Sequence, residues 1–175
     1  MFDACRSFPE KIMALADAYD DFVMDHIKHA RNYRAVDDAT HQAQGSNPLC
    51  RDELVIYLKT ERDRITDIAF QCTCCGVSMA SASIMSEEIR GKRTTEAKSL
   101  LSKFVAILKG CASPSAYTPT PGEQALLKTI EALPSRASCA LLPWITLDAA
   151  LDDQNKTVLA HQPASEDGDG VPPKI

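Results

Sequence analysis

The chain has 175 residues, of which 45% are hydrophobic, and its 19 basic and 24 acidic side chains give a formal net charge of −5. This composition is typical of one globular domain and excludes a chain that is disordered throughout. The acidic balance argues against a nucleic-acid surface, and the apolar runs are too short to span a membrane. Because the first residues lack the pattern of a signal peptide, we expect a soluble cytoplasmic protein without nucleic-acid or membrane partners.

The first half of the chain predicts one helix and a few strands. A capping box at Ser7 opens a helix whose apolar stripe lasts until about Lys28. The polar stretch 35–47 predicts at best an edge strand. A β-rich run at 54–58 and a return strand at 65–71 then predict a hairpin with a short turn between them.

The second half is predicted to be helical. A helix rich in serine and alanine covers 76–89, and a second helix covers 95–109. A third opens on a capping box at Thr120, with proline in the first helical position, and runs to about Leu133.

The last apolar segment follows Cys139 and predicts a helix with Pro143 in its first turn, because a proline deeper inside would remove a hydrogen bond. Beyond that helix the composition becomes acidic and rich in proline and glycine. We therefore expect a domain over 1–151 and a disordered acidic tail over 152–175. The order of elements indicates an α+β fold, a small antiparallel sheet with helices packed on one face.

Seven cysteines are the first functional indication. In a cytoplasmic chain they indicate metal ligands, redox groups or core residues rather than structural disulfides. Cys72, Cys74 and Cys75 fall within four positions, where a predicted strand ends and a predicted helix begins. The unpaired N–H groups and the partial positive charge of a helix N-terminus favour a thiolate at that place.

Four residues with metal-ligating side chains flank the predicted hairpin and the last helix. Cys50 and Asp52 precede one strand and Cys75 follows its partner, so an antiparallel pairing brings them to the same edge. Cys139 joins them if its helix docks with the N-terminus toward that edge. Three thiolates and a carboxylate suit tetrahedral zinc, but none of the four forms a Cys-x₂-Cys knuckle. The residues alone therefore leave a zinc site and incidental thiols as alternatives.

Three motifs resemble those of the U-type iron–sulfur cluster assembly proteins. They are Cys50-Arg51-Asp52, Cys75-Gly-Val-Ser-Met-Ala-Ser-Ala-Ser and Arg136-Ala-Ser-Cys139-Ala-Leu-Leu-Pro-Trp144, and the stretch 24–32 is similar to the N-terminal signature of that family. The IscU scaffolds place a histidine before the last cysteine, where this chain has Ser138. The SufU branch has Arg136 and a longer segment between the last two conserved cysteines, as here. The chain thus resembles the SufU branch, which implies a SufU/IscU-like fold.

The resemblance implies a zinc-dependent sulfur acceptor, a sulfurtransferase of iron–sulfur cluster assembly. It would take persulfide sulfur from a SufS-type cysteine desulfurase and pass it toward downstream iron–sulfur assembly proteins, as a partner of that enzyme rather than a stand-alone enzyme. Carried over by position, the zinc ligands are Cys50, Asp52, Cys75 and Cys139, and Cys50 is the catalytic acceptor thiol. An IscU-type scaffold that assembles a [2Fe–2S] cluster on these residues is the alternative. A structural zinc module that binds a partner protein is a third.

The chain departs from the family pattern at two places. Arg51 stands where the family usually has glycine. If that glycine has a positive φ, Arg51 strains the loop and shifts Asp52 away from the metal. Cys72 and Cys74 are additional thiols, for which relay thiols, redox partners, alternative ligands and no essential chemistry all stay open. Arg136 either holds a carboxylate or is an ordinary surface residue.

Overall fold

The computed structural model describes residues 19–111 and 117–158. In order, the elements are α1 (Asp21–Lys28), β1 (His41–Asn47), β2 (Asp52–Glu61), β3 (Arg64–Thr73), α2 (Gly76–Ile89), α3 (Thr94–Leu108), α4 (Pro121–Ala132), α5 (Ala137–Leu151) and β4 (Lys156–Val158). A 3-10 turn, Pro134–Arg136, joins α4 to α5. Within these ranges, the helices are too short or too polar to cross a membrane.

The predicted helices and their caps are confirmed where the structure describes them. α1 begins at Asp21, behind Asp20, whose carboxylate accepts the N–H of Phe22. The predicted start of this helix at Ser7 lies outside the described residues. α4 opens on the capping box, with the Thr120 hydroxyl accepting the N–H of Glu123 and that carboxylate accepting the N–H of Thr120.

The sheet has the strand order β3-β2-β1-β4. β2 pairs antiparallel with both neighbours, whereas β4 pairs parallel with β1, so the sheet is mixed rather than wholly antiparallel. The α+β class is confirmed. The hairpin turn between β2 and β3 is also confirmed, and it places Arg62 and Asp63 at φ 49° and 68°, as a two-residue turn with positive φ at both positions requires.

β1 lies inside the sheet, which corrects the prediction of an edge strand over 35–47. Its buried positions are Ala43, Gly45 and Asn47, which are small or polar, so the strand lacks an apolar signal. A Cβ on Gly45 would lie 2.0 Å from the Thr146 hydroxyl oxygen. The missing side chain is therefore what lets α5 pack directly on this strand.

The core lies between one face of the sheet and the helices, as predicted. Alternate residues of β2 and β3 are buried on that face, among them Leu54, Ile56 and Phe70. α2 contacts β3, and α5 contacts β1 and β2. The rings of Phe104 and Trp144, whose centroids are 4.5 Å apart, join α3 to α5.

Pro143 lies in the middle of α5, not in its first turn, because the helix begins at Ala137, two residues before Cys139. Proline has no N–H to donate to the carbonyl of Cys139, four residues earlier. The Ser78 hydroxyl of α2 lies 2.8 Å from both that carbonyl oxygen and the Asp52 carboxylate, and its single hydrogen can be shared between these two acceptors. A serine on a neighbouring helix thus gives the carbonyl a polar contact in place of the missing N–H.

β4 corrects the predicted boundary at residue 152. Lys156–Val158 lies within the segment predicted to be a disordered tail, yet it pairs with β1 through Gln44, Gly45 and Ser46. The strand is short and polar, so its composition resembles a tail. The rest of the predicted tail, residues 159–175, lies outside the described residues.

Candidate metal centre

Three of the four predicted ligands meet at one edge of the sheet. Cys50 lies in the turn before β2, Asp52 is the first residue of that strand, and Cys139 lies in the first turn of α5. One potential ligand atom from each lies within 4.8 Å of those of the others. The Sγ atoms of Cys50 and Cys139 are 2.8 Å apart, longer than a disulfide bond of about 2.05 Å. The β1–β2 turn and the N-terminus of α5 therefore build one cluster of donor atoms.

The Asp52 carboxylate is buried, with 1% of its surface exposed. Its Oδ1 accepts the backbone N–H of Cys75 at 2.8 Å, and its Oδ2 lies 2.8 Å from the Ser78 hydroxyl. Each carboxylate oxygen has two acceptor positions, so one on each oxygen stays free after these contacts. α2 thereby orients the carboxylate toward the thiols without using all of its capacity to bind a cation.

Cys75, the fourth predicted ligand, caps the N-terminus of α2 and lies just outside this compact group. A hydrogen bond with the Cys139 thiol lowers the pKa of Cys75 to about 6 against the opposing effect of burial, and the N–H groups of Ser78 and Val77 add to the lowering. The same contact, together with burial, raises the pKa of Cys139. The directions of these two pKa shifts favour the thiolate on Cys75 and the thiol on Cys139.

Arg136 brings a positive charge to the thiols. The 3-10 turn before α5 places its Nη1 3.4 Å from the Sγ of Cys50. Contacts with the sulfurs of Cys139 and Cys50 raise the pKa of the guanidinium. The structure thus places Arg136 against a thiol rather than a carboxylate, and its positive charge faces the Cys50 sulfur.

Two residues of the site were not predicted from the sequence. Asn47, which is buried, directs its Nδ2 toward the Sγ of Cys139 at 3.7 Å and the hydroxyl of Ser138 at 3.3 Å. Ser78, also buried, contacts both Asp52 and the carbonyl of Cys139. Asn47 is the last residue of the polar stretch 35–47, which predicts at best an edge strand and no site residue. A polar residue at a buried position of its strand becomes visible only once the register is known.

Arg51 has φ 55°, in the left-handed region, so the expected strain is present. This conformation costs a residue with a side chain roughly 1–2 kcal/mol relative to the right-handed region. The expected displacement of Asp52 is wrong, because its carboxylate is held by the N–H of Cys75 and the hydroxyl of Ser78. The position normally suited to glycine therefore strains the loop without moving the carboxylate.

Cys72 and Cys74 are joined in a disulfide, and their Cα atoms are 5.5 Å apart. The composition predicts cysteines that are not joined in structural disulfides, and this prediction is wrong for Cys72 and Cys74. Cys72 is half-buried, and its Sγ lies 4.0 Å from the sulfur of Met79. Neither sulfur belongs to the cluster of donor atoms around Cys50.

The donor set fits zinc. Two sulfurs and a carboxylate oxygen, with the Cys75 sulfur beside them, are the borderline-soft ligands that zinc binds in proteins, whereas magnesium and calcium take oxygen ligands. The buried Asp52 side chain keeps free acceptor positions that a cation can fill. The residues present could therefore hold one zinc ion.

Comparison with known proteins identifies a matching family and several similar proteins. Residues 18–140 match the family described as the NifU-like N-terminal domain. The chain is similar to the iron–sulfur cluster assembly scaffold protein IscU of Streptococcus pyogenes serotype M1, with 33% identity over 129 residues, 74% of this chain and 79% of that protein. It is also similar to the zinc-dependent sulfurtransferase SufU of Bacillus subtilis (strain 168), with 31% identity over 130 residues, 74% of this chain and 86% of that protein.

A solved structure has the same fold. It is a protein described as an iron–sulfur cluster assembly scaffold for the SUF system, from Fervidobacterium islandicum AW-1. The TM-score is 0.66 at 28% sequence identity, over 77% of this chain and 97% of that chain. The solved structure thus shares this fold, and the names of the similar proteins divide between scaffold and sulfurtransferase.

Proposed function

The chain belongs to the NifU-like N-terminal domain family, and from this membership and the thiol site we propose that it is a zinc-dependent sulfur acceptor of iron–sulfur cluster assembly. Its donor would be a SufS-type cysteine desulfurase, and its products would go to downstream iron–sulfur assembly proteins. The observation that carries the proposal is the cluster of Cys50, Asp52 and Cys139 with a guanidinium against the Cys50 sulfur.

Cys50 is the acceptor thiol in this proposal. Its side chain is half-buried, whereas Cys139 is fully buried, so Cys50 is the cluster thiol that a second protein can reach. Its neighbour Leu49 is 61% exposed and offers an apolar contact next to the thiol. A desulfurase docked on this loop can therefore bring its persulfide to the Cys50 sulfur.

The transfer is a thiol–persulfide exchange. The Cys50 thiolate attacks the outer sulfur of the donor persulfide, a new sulfur–sulfur bond forms on Cys50, and the donor cysteine leaves as a thiolate. Arg136, 3.4 Å from the Cys50 Sγ, stabilises the attacking thiolate. Asn47 and Ser78 hold Cys139 and Asp52 in place around it. No net oxidation or reduction occurs in this step.

Cys50, Asp52, Cys75 and Cys139 would hold the zinc ion. Bound zinc would keep the cysteine sulfurs deprotonated at neutral pH, as metal coordination does for thiols in general. The buried Asp52 carboxylate supplies negative charge and is oriented by α2. The remaining thiols of the site then serve to position Cys50 for the exchange.

A scaffold that assembles a [2Fe–2S] cluster on the same residues is the second candidate. Cysteine thiols and a carboxylate at one sheet edge could also be the ligands of an iron–sulfur cluster. The S. pyogenes relative is named a scaffold. Ser138 stands directly before Cys139 and gives no imidazole ligand at that position. This difference favours the sulfur acceptor.

Metal analysis and absorbance of freshly purified protein, followed by a desulfurase turnover assay, test the proposal. One zinc per chain and strong stimulation of a SufS-type desulfurase are the expected results. A visible cluster spectrum after reconstitution, with transfer of the cluster to an apo-acceptor and no stimulation of the desulfurase, would instead establish the scaffold.

A further inference from the structure

We propose that Cys72 and Cys74 form an internal dithiol that reduces the sulfur accepted by this site and releases it as sulfide. The inference rests on the proposed sulfur-acceptor function and adds a second reaction, carried out by residues outside the metal centre. Its starting observation is the bond between the two sulfurs, which shows that the pair can close across the single residue Thr73.

The fold places this pair beside the metal centre. The β2–β3 ladder ends with Glu53 opposite Thr73, so the chain leaves the sheet at Cys74. Cys75 follows directly, and its N–H binds the Asp52 carboxylate. Consecutive Cα atoms are about 3.8 Å apart, so Cys74 lies next to Cys75, whose backbone N–H binds a member of the ligand cluster.

Cys72 is the anchored member of the pair. The carbonyl of Cys72 accepts the hydroxyl of Tyr33 at 3.0 Å, and its Sγ packs against Met79 of α2. Cys74 is half-buried and sits between this anchor and Cys75. Cys74 is therefore the member that can meet an incoming sulfur, and Cys72 is the member that resolves it.

Two exchanges complete the reaction. Cys74 attacks the outer sulfur of the Cys50 persulfide, which moves to Cys74 and leaves Cys50 as a thiol. Cys72 then attacks the Cys74 sulfur, the Cys72–Cys74 bond forms, and the outer sulfur leaves as hydrosulfide. The dithiol loses two electrons and the transferred sulfur gains them. Of the two thiol protons, one ends on the Cys50 thiol and the other converts hydrosulfide to hydrogen sulfide.

The redox state of the pair then decides what the protein delivers. With the pair as a dithiol, the accepted sulfur leaves as sulfide. With the pair as the disulfide seen in the structure, the sulfur stays on the acceptor as a persulfide. A dithiol reductant, either a small molecule or a protein of the thioredoxin class, must reopen the disulfide after each release.

Single-turnover loading of the full-length zinc protein tests the inference. The protein is reduced, freed of reductant without oxygen, and given one sulfane sulfur per chain from either a SufS-type desulfurase with cysteine or inorganic polysulfide. Released sulfide and the mass of each cysteine peptide are measured. Wild type should release about one sulfide per chain while the Cys72/Cys74 peptide loses two hydrogens.

Cys72→Ser and Cys74→Ser should each lower the sulfide released by roughly tenfold or more. The sulfur taken from the desulfurase then stays on the chain, as added mass on Cys74 in Cys72→Ser and on Cys50 in Cys74→Ser. Cys111→Ser, which removes an exposed thiol elsewhere, is the matched control and should follow the wild type. Melting curves verify that each variant is folded. Wild-type sulfide release from both variants would overturn the inference. Sulfide release from polysulfide but no loading by desulfurase would overturn the proposed function alone and support the dithiol chemistry.

Discussion

The sulfur of Cys50 has surroundings that differ from those of the other site thiols. It lies 3.4 Å from the Arg136 guanidinium and next to an exposed loop residue, Leu49, whereas Cys139 is buried. We therefore expect Cys50→Ala to abolish stimulation of the desulfurase, because Cys50 is an accessible thiol of the cluster with a cation against its sulfur. Cys72→Ala should leave most of the stimulation, measured as the rate of cysteine turnover with a thiol reductant present. Equal damage by both substitutions would contradict these assigned roles.

The backbone at Arg51 gives a second prediction at this scale. Arg51→Gly should raise the free energy of unfolding by about 1 kcal/mol, because glycine adopts a positive φ without the steric cost, although it gains more freedom in the unfolded chain. Arg51→Ala is the matched control, since it removes the same side chain but keeps the strain. Urea unfolding of both variants measures the difference. If alanine stabilises as much as glycine, the gain comes from the side chain and not from φ.

Prediction from the sequence works for the residues whose chemistry is rare and fails for those whose role depends on register. Cys50, Asp52 and Cys139 are identifiable because thiols and a carboxylate at strand and helix ends suggest ligands. Asn47 and Ser78 are ordinary polar residues. Only the pairing of Asn47 with Asp52 across β1 and β2, and the packing of α2 on α5, bring them to the site.

At the scale of elements, the contact between α2 and α5 positions two of the cysteines relative to each other. Ser81 of α2 accepts the indole N–H of Trp144 at 3.0 Å and donates to the carbonyl of Ala140 at 2.7 Å, all within the core. Ser81→Ala should lower the free energy of unfolding by about 1–3 kcal/mol, because the buried indole N–H loses its acceptor.

The control for this substitution is Ser102→Ala, on the exposed side of α3. It removes a hydroxyl of the same kind from a helix without a buried partner, so the stability should change by less than about 0.5 kcal/mol. Denaturant unfolding of both variants gives the comparison. If Ser81→Ala lowers the free energy of unfolding no more than Ser102→Ala does, the buried hydroxyl does not stabilise the contact between α2 and α5.

The contact between α2 and α4 gives a dependence on pH. Burial raises the pKa of Glu88 to about 7, with Glu123 and Glu87 adding to the rise and Thr120 and Lys92 opposing it. The folded chain thus binds a proton at pH values where the unfolded chain has lost it. The free energy of unfolding should therefore fall as pH rises from about 4.5 to about 7, by on the order of 2 kcal/mol for this group.

The glutamine in Glu88→Gln stays neutral at every pH, so the free energy of unfolding of this variant should fall less as the pH rises. Urea unfolding at several pH values between these limits, for wild type and the variant, measures it. Glu131→Gln, an exposed carboxyl on α4, is the matched control and should follow the wild type. A pH dependence that Glu88→Gln leaves unchanged would mean that Glu88 is ionised in the folded protein.

Elements were predictable where local signals agree with tertiary structure. The caps of α4 and the limits of α2 follow from serine, threonine, proline and glycine at defined positions. β1 and β4 were not predictable from the sequence. The buried positions of β1 carry small or polar residues, and Gly45 is required by the close packing of α5 on that strand. β4 is short and polar. Pro143 misled the prediction because the donor that compensates for it, Ser78, comes from another helix.

At the scale of the whole molecule, one sheet edge collects the β1–β2 turn, the end of β3 and the N-termini of α2 and α5. These segments are distant in sequence, so the site exists only in the folded chain. Zinc that binds the native donor atoms should therefore stabilise the fold, and its removal by a chelator should lower the melting temperature. An unchanged melting temperature after verified removal would show that the four ligands do not jointly bind zinc.

The most direct test of the central claim is the location of transferred sulfur on the zinc-bound protein. The chain is kept with the Cys72–Cys74 disulfide closed, so that accepted sulfur is not released, and is incubated with a SufS-type desulfurase and cysteine. Peptide mass analysis then identifies the modified cysteine. We predict that Cys50 gains the mass of one sulfur atom and that one zinc ion is bound per chain. Sulfur found only on the desulfurase, or on cysteines other than Cys50, would contradict the account.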